Sequence, residues 1–289
     1  MGCGVSTQAA VAGGVATSER PLTRPPEPRL PPGCGLGDWR RRAPTCVGRI
    51  KSALDSIAQQ NDELNACVEV LAEDAMALAQ RADKRLAGGG AARPLEGMPL
   101  LVKTNMDLAS SLTTAGTPAL AEWRPATDAP IVAALLAAGA ICVAKTNMPE
   151  LAMGWWGHNK LHGTCRNPRN ASFTSGGSSA GTAAGIAASM APIGLGSDTF
   201  GSLRTPAECC GVSGFRPSRG RYSSSGIVPL RAAEDTPGPM GKTVADVAVI
   251  DAILVGEPLD SVAPANLRGK VDTAHYGYGS NLYVHLDWY

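Results

Sequence analysis

The sequence carries almost no excess of charge. Lys and Arg number 26 against 25 Asp and Glu, a formal net charge of +1 over 289 residues. That balance argues against nucleic acid as the main partner, because phosphate binding needs a concentrated basic surface. No CxxC pair occurs among the eight cysteines, at positions 3, 34, 46, 67, 142, 165, 209 and 210. Their spacing suits neither a zinc site nor a secreted disulfide framework, and it points to a reducing, cytoplasmic compartment. A membrane-spanning run is also missing. The longest uncharged stretch, 170–197, opens on Ser, Gly, Thr and Asn and is interrupted by Pro192. The apolar run 131–144 is too short, and Gly139 divides it. No apolar h-region marks a secretory signal peptide, and no internal repeat occurs. What is present is 44% apolar and 18% charged, a composition that supports a globular core and excludes wholesale disorder.

The N-terminus holds a separate signal. Met1-Gly2-Cys3-Gly4-Val5-Ser6 fits the pattern for N-myristoylation, with Cys3 beside it as a palmitoylation acceptor. Two acyl chains, each contributing about 0.8 kcal/mol per buried CH2, give a stable anchor where one gives marginal binding. A short motif of small residues also arises by chance. Seven of the 22 prolines fall between Pro21 and Pro44, and the same stretch holds Arg40-Arg41-Arg42, so residues 1–45 read as an extended segment. The Arg run suits an anionic membrane leaflet or simply a solvated stretch.

From Cys46 the pattern becomes that of a folded domain. Val47–Gln59 and Ala66–Leu86 have helical spacing, and Gly88-Gly89-Gly90 stops the second helix. Met98–Val102 is a short apolar run that reads as a buried strand. Asp128 and Pro130 open a helix that Gly139 closes, and Ala140–Ala144 reads as a second buried strand. Strand, helix and strand at this spacing predict a right-handed crossover and a largely parallel sheet. Thr243-Val-Ala-Asp246 predicts a capped helix running to Val255.

The densest chemistry lies in Gly176-Gly-Ser-Ser-Ala-Gly-Thr182 and in Gly194 to Gly201 with Ser202 and Arg204. These two Gly-rich loops flank a small-residue helix near Ala183–Met190 and a short strand near Ile193. Glycine lets a backbone approach a ligand and lets amides converge. A Ser on each loop suits acyl transfer, and the same composition also suits a structural turn. Gly177-Ser-Ser179-Ala-Gly181 satisfies the nucleophile-elbow pattern, but Phe173-Thr-Ser175-Gly is loop-like, and only His275 and His285 follow it. His158 and His162 share helical spacing, but Asn159 stands where a zinc protease carries Glu, so they read as surface or core histidines. Lys103, directly after the apolar strand, is either a strand end meeting solvent or a base whose burial lowers its pKa. To act near neutrality it must fall about three units from ~10.4, roughly 4 kcal/mol between its protonation states.

Four ordered blocks now stand together: Gly97-Met-Pro-Leu-Leu-Val-Lys-Thr-Asn105, Ala144-Lys-Thr-Asn-Met-Pro-Glu150, Gly176-Gly-Ser-Ser-Ala-Gly181 and Gly196-Ser-Asp-Thr-Phe-Gly-Ser-Leu-Arg204. The last runs on through Pro206, Cys210-Gly211 and Gly214-Phe-Arg-Pro217. With these blocks the chain resembles the amidase signature family of serine hydrolases over about Cys46 to Gly256. Within it, Thr113–Leu120 and Asp235–Met240 look most like indoleacetamide and mandelamide hydrolases. The resemblance implies an α/β fold, a mixed, largely parallel sheet wrapped by helices. It also implies a Lys103, Ser178, Ser202 triad, with Lys103 the base, Ser178 the bridge and Ser202 the nucleophile. Amides at Thr199, Phe200 and Gly201 would hold the oxyanion. No metal or organic cofactor is implied. The implied function is hydrolysis of a small linear amide to an acid and ammonia or an amine. Alternatives are a glutaminase-type component of an amidotransferase, or a catalytically impaired, membrane-tethered relic.

Two departures stand out. Phe200 occupies a position where the family has Gly, so a left-handed backbone there would be strained by about 1–2 kcal/mol, and its ring could fill the acyl pocket. Family members also continue well beyond the helix ending at Val255. Here residues 261–289 form an aromatic-rich tail holding four of the five Tyr. The expected organisation is therefore 1–45 extended, 46–260 the N-terminal portion of the family domain, and 261–289 an aberrant or truncated end. An incomplete sheet leaves an unpaired edge and apolar faces, which predicts a chain that is unstable or forms a homo-oligomer.

Overall fold

The computed structural model describes residues 35–109 and 111–259. In chain order its helices are α1 (Gly35–Arg42), α2 (Cys46–Leu64), α3 (Ala72–Ala87), α4 (Pro130–Ala137), α5 (Ala180–Ala187), α6 (Arg204–Cys210) and α7 (Val244–Val255). The strands are β1 (Cys67–Val70), β2 (Pro99–Lys103), β3 (Ile141–Thr146), β4 (His158–Asn159), β5 (Gly163–Thr164), β6 (Ile193–Asp198), β7 (Ser213–Gly214) and β8 (Thr236–Gly241). Six strands form one sheet in the order β1-β3-β2-β6-β8-β7. β2 runs parallel to both β3 and β6, while β1, β8 and β7 join antiparallel. The result is a mixed sheet with a parallel centre.

All five residues of β2 are buried, because both faces of the sheet are covered. Leu101 packs with Ala183 and Ala184 of α5 and with Val143, on the side that α2 and α3 also cover. Leu100 and Val102 face the other way, against Ile131, Val132 and Leu135 of α4 and Ile250 of α7. Each fully buried Leu or Val contributes about 1.5–3 kcal/mol. The period of two therefore carries Lys103 to the face of Leu101, towards α5. That parity positions the site.

α5 can lie close on this face because its residues are small. A Cβ on Gly181 would stand 2.2 Å from the Ala66 carbonyl oxygen and 2.4 Å from the Asn147 nitrogen. α7 begins as its sequence predicts. The Thr243 hydroxyl accepts from Asp246 N at 3.2 Å, and the Thr243 N–H donates to Asp246 Oδ2 at 2.9 Å, a reciprocal cap.

The structure departs from the sequence reading in three elements. Residues 35–42 are helical rather than extended, because Leu36 is fully buried and its N–H donates to Asp246 Oδ1 at 2.8 Å. Arg40 to Arg42 are the last turn of that helix. The span Ala66–Leu86 is a strand followed by a helix, since Cys67, Glu69 and Val70 pair antiparallel with β3. His158 and His162 lie on a small β-hairpin rather than one helical face, and they bond different threonines, Thr164 at 2.8 Å and Thr114 at 3.1 Å. Gly2 and Cys3 of the acylation motif, and the tail 261–289, lie outside the described residues. Among the described residues no helix is long and apolar enough to cross a membrane.

Candidate active site

Lys103 closes β2 with no exposed surface. Its Nζ donates to Ser178 Oγ at 2.6 Å and to Ser197 Oγ at 2.9 Å. Burial pulls its pKa down to about 7, against the opposing pull of Asp198 and Asp235. An amine held there is available as a free base near neutrality. Lys145, one strand over, is buried as well, but its role differs. It donates to the carbonyls of Met106 at 2.7 Å and Leu112 at 3.0 Å and so ties down the segment after Asn105.

Ser178 precedes α5, and the Gly177–Ser178 peptide is cis. The segment before it is loop, not the strand that a nucleophile elbow requires. The next residue, Ser179, is fully buried and structural. Its hydroxyl donates to the Ser197 carbonyl at 3.2 Å, and its N–H donates to the Ser202 carbonyl at 3.1 Å. That last bond brings the Ser202 loop against the α5 entrance. Ser202 is 5% exposed, and among the described residues its hydroxyl makes no hydrogen bond. Lys103 and Ser178 are thus joined directly, while Ser202 is tied by its carbonyl to Ser179, the residue after Ser178.

The loop from Thr199 to Leu203 folds around one carboxylate. Asp198, fully buried, accepts from Gly201 N at 2.8 Å, Leu203 N at 3.0 Å, Arg204 Nε at 3.1 Å and Arg216 Nη1 at 2.9 Å. Burial alone would raise its pKa, but the bonds from Arg204, Leu203 and Gly201 outweigh it and hold the carboxyl below its usual range. The Gly201 amide is therefore committed to Asp198 and is not free for an oxyanion, contrary to the sequence expectation. The amides of Phe200 and Ser202 have no partner among the described residues. Phe200 itself is not in the left-handed region. Gly201 is, at φ +123°, so the strain expected at Phe200 does not arise. Its ring is 55% exposed and absent from the neighbouring pocket.

That pocket, about 460 Å³ with the solvent at its mouth included, is lined by Asn105, Ser197, Thr199 and Asp235 and by apolar side chains of the segment Ile227 to Leu230. It touches Lys103 only through Ser197. Sequence reasoning missed both Ser197 and Asp235. The available signal was their place beside the recognised blocks: Ser197 inside Gly196-Ser-Asp198, and Asp235 at the head of Asp235-Thr-Pro-Gly.

The profile of the family described as Amidase matches residues 49–275. The chain belongs to the amidase family. The match runs past residue 260, where the sequence blocks alone had placed the domain's end. Mandelamide hydrolase of Pseudomonas putida is 40% identical over 240 residues, 81% of this chain and 47% of that protein. The A-type component of glutamyl-tRNA(Gln) amidotransferase from Salinispora tropica is 39% identical over 240 residues, 82% of this chain and 49% of that protein. The native peptide amidase of Stenotrophomonas maltophilia superposes with a TM-score of 0.70 at 34% identity, covering 81% of this chain and 48% of that one. The chain thus spans about half the length of these amidase relatives.

Proposed function

We propose that the chain carries the catalytic half of a serine amidase that hydrolyses the C–N bond of a small linear amide. The observation that carries this reading is the buried Lys103 amine, 2.6 Å from Ser178 Oγ with its pKa pulled down to about 7. A base with that pKa is matched to work near neutrality. In the proposed cycle the free amine of Lys103 takes the Ser178 proton while Ser178 takes the proton of Ser202. The Ser202 oxygen then bonds to the amide carbon. The resulting oxyanion is held by the Phe200 and Ser202 amides, where losing one donor costs about 2.7–4 kcal/mol. The proton on Lys103 returns through Ser178 to the departing nitrogen as the C–N bond breaks. Water repeats the relay on the acyl-enzyme, releases the acid and restores Ser202. The test is labelling of the full chain by a fluorophosphonate. Wild type is expected to be modified at Ser202; Ser202→Ala should not react, and Lys103→Ala should react at least a hundredfold more slowly, about 3 kcal/mol in barrier. Equal labelling of wild type and Ser202→Ala removes Ser202 from the mechanism.

A second reading rests on the likeness to the A-type components of glutamyl-tRNA(Gln) amidotransferases, in which the same site would release ammonia from glutamine within a complex. Copurification of partner proteins and no turnover by the chain alone favour it. We further propose acylation at Gly2 and Cys3, which incorporation of labelled myristate and palmitate tests.

A further inference from the structure

Asp235 sits at a junction. Its carboxylate accepts the Thr199 hydroxyl, from the segment that leads to Ser202. The same carboxylate accepts Leu230 N at 2.9 Å and Arg231 N at 3.0 Å, closing the wall of the pocket. Thr199, Leu230 and Asp235 all line that pocket. The charged groups acting on Lys103 are Asp198 and Asp235. Asp198 is neutralised by Arg204 and Arg216. Asp235 makes no ion pair with Lys or Arg among the described residues. Asp235 lines the same pocket as Ser197, the hydroxyl to which the Lys103 amine donates at 2.9 Å, and of the two carboxylates it is the one no arginine neutralises.

We propose that Asp235 is a positioning residue of the hydrolytic site: it locks the Thr199–Ser202 segment to the pocket wall at Leu230–Arg231 and serves as the counter-charge to Lys103 once that amine is protonated. This inference rests on the Lys103–Ser178–Ser202 reading. The consequence is that an acyl group filling the pocket presses on the wall that fixes the nucleophile's loop. Binding and alignment of Ser202 then become one event. The counter-charge half follows from Coulomb's law, since a carboxylate favours the ammonium and raises the pH at which the free amine is lost.

The experiment labels the full chain with a fluorophosphonate from about pH 5 to about pH 9. In wild type the rate falls on the acid side as Lys103 becomes protonated. Asp235→Asn removes charge, so the acid limb should move down by about one unit, and the plateau rate should fall about tenfold as the loop loosens. Thr199→Val breaks the bond but keeps the charge, and should lower the plateau with the limb in place. Glu208→Gln, an exposed carboxylate on α6, should change neither. An Asp235→Asn chain with limb and plateau both unmoved overturns the proposal. If that chain does not fold, Thr199→Val decides, and an unchanged plateau there overturns the lock. If wild type is not labelled at all, the reading of Ser202 as nucleophile fails separately. Lys103's own titration, followed by ¹⁵N NMR of labelled lysines, then still tests Asp235. A lower midpoint in Asp235→Asn, with Lys145 unmoved, supports the counter-charge, and an unchanged midpoint overturns it.

Discussion

Lys103, the proposed base, is costly to the fold, because its amine is held among serine hydroxyls with no exposed surface. Its pKa is about 7 folded against 10.5 for the ordinary side chain. The folded state therefore binds fewer protons than the unfolded one between those values. Stability contributed by this residue rises with pH over that window, and below it the full penalty applies. At pH 7 the linkage amounts to about 4 kcal/mol against folding. Lys103→Met removes that penalty while leaving Ser178 and Ser197 each short of a partner, at about 1 kcal/mol apiece. The variant should unfold with about 2 kcal/mol more stability at pH 7 and lose all Ser202 labelling. Near pH 10 the order should reverse, since the penalty on wild-type lysine has then almost vanished. Denaturant melts of the two proteins at both pH values check the crossing.

Among the elements, α5 decides whether Ser178 reaches Lys103, and its small residues decide whether α5 can sit where it does. Gly181→Val should cost about 3 kcal/mol by pushing α5 off Ala66 and Asn147. Labelling should fall further than stability, because Ser178 moves with the helix. Gly88→Ala at the end of α3 meets neighbours no closer than 3.5 Å at a negative φ, and should be neutral in both assays. The same contrast explains what was legible in sequence. β2 and β3 were readable because strands covered on both faces are continuous apolar runs, and α7 because its cap is local. β1 was hidden because Cys67, Val68 and Val70 continue into the Ala-rich α3 with no Gly or Pro to mark the break. β8 was hidden by Pro237 and Pro239. Both read as strand breakers in sequence, yet they hold register with β6, opposite Ser197 and Leu195. Lys103, Ser178 and Ser202 were proposed from blocks whose residues are neighbours in sequence. Asp235 heads a stretch that carried the resemblance, but its tie to Thr199, 36 residues away, is seen only in the fold.

Across the whole molecule, stability at different pH values is set by which buried groups have to change protonation on unfolding. On the acid side Asp83, Glu96 and Asp198 are held below the ordinary carboxylate range. In each, desolvation raises the pKa but hydrogen bonds outweigh it, chiefly from backbone N–H groups of α2 for Asp83, Arg93 for Glu96 and Arg204 for Asp198. Their stabilisation is present above about pH 4 and is lost as pH falls through the folded values. Near neutrality Lys103 and Lys145, lowered by burial to about 7 and about 8, make the protein gain stability as pH rises. On the alkaline side the buried thiols take over. Burial raises Cys46 to about 11 and Cys142 and Cys165 to about 12, and it raises Cys67 and Cys210 as well. A thiol raised in the fold contributes stability that is full below its unfolded value of 9.0 and is lost above it. Five thiols then act against two lysines, each changing stability by about 1.4 kcal/mol per pH unit, so the thiols win above about pH 9. Melting temperature measured under reducing conditions should climb from pH 6 to a maximum near pH 9 and fall steeply beyond it. Replacing Cys67 and Cys210 by Ala should lower the whole curve through lost packing but flatten its alkaline limb. A melting temperature that keeps rising to pH 10.5 would show that the thiols are not held protonated by the fold.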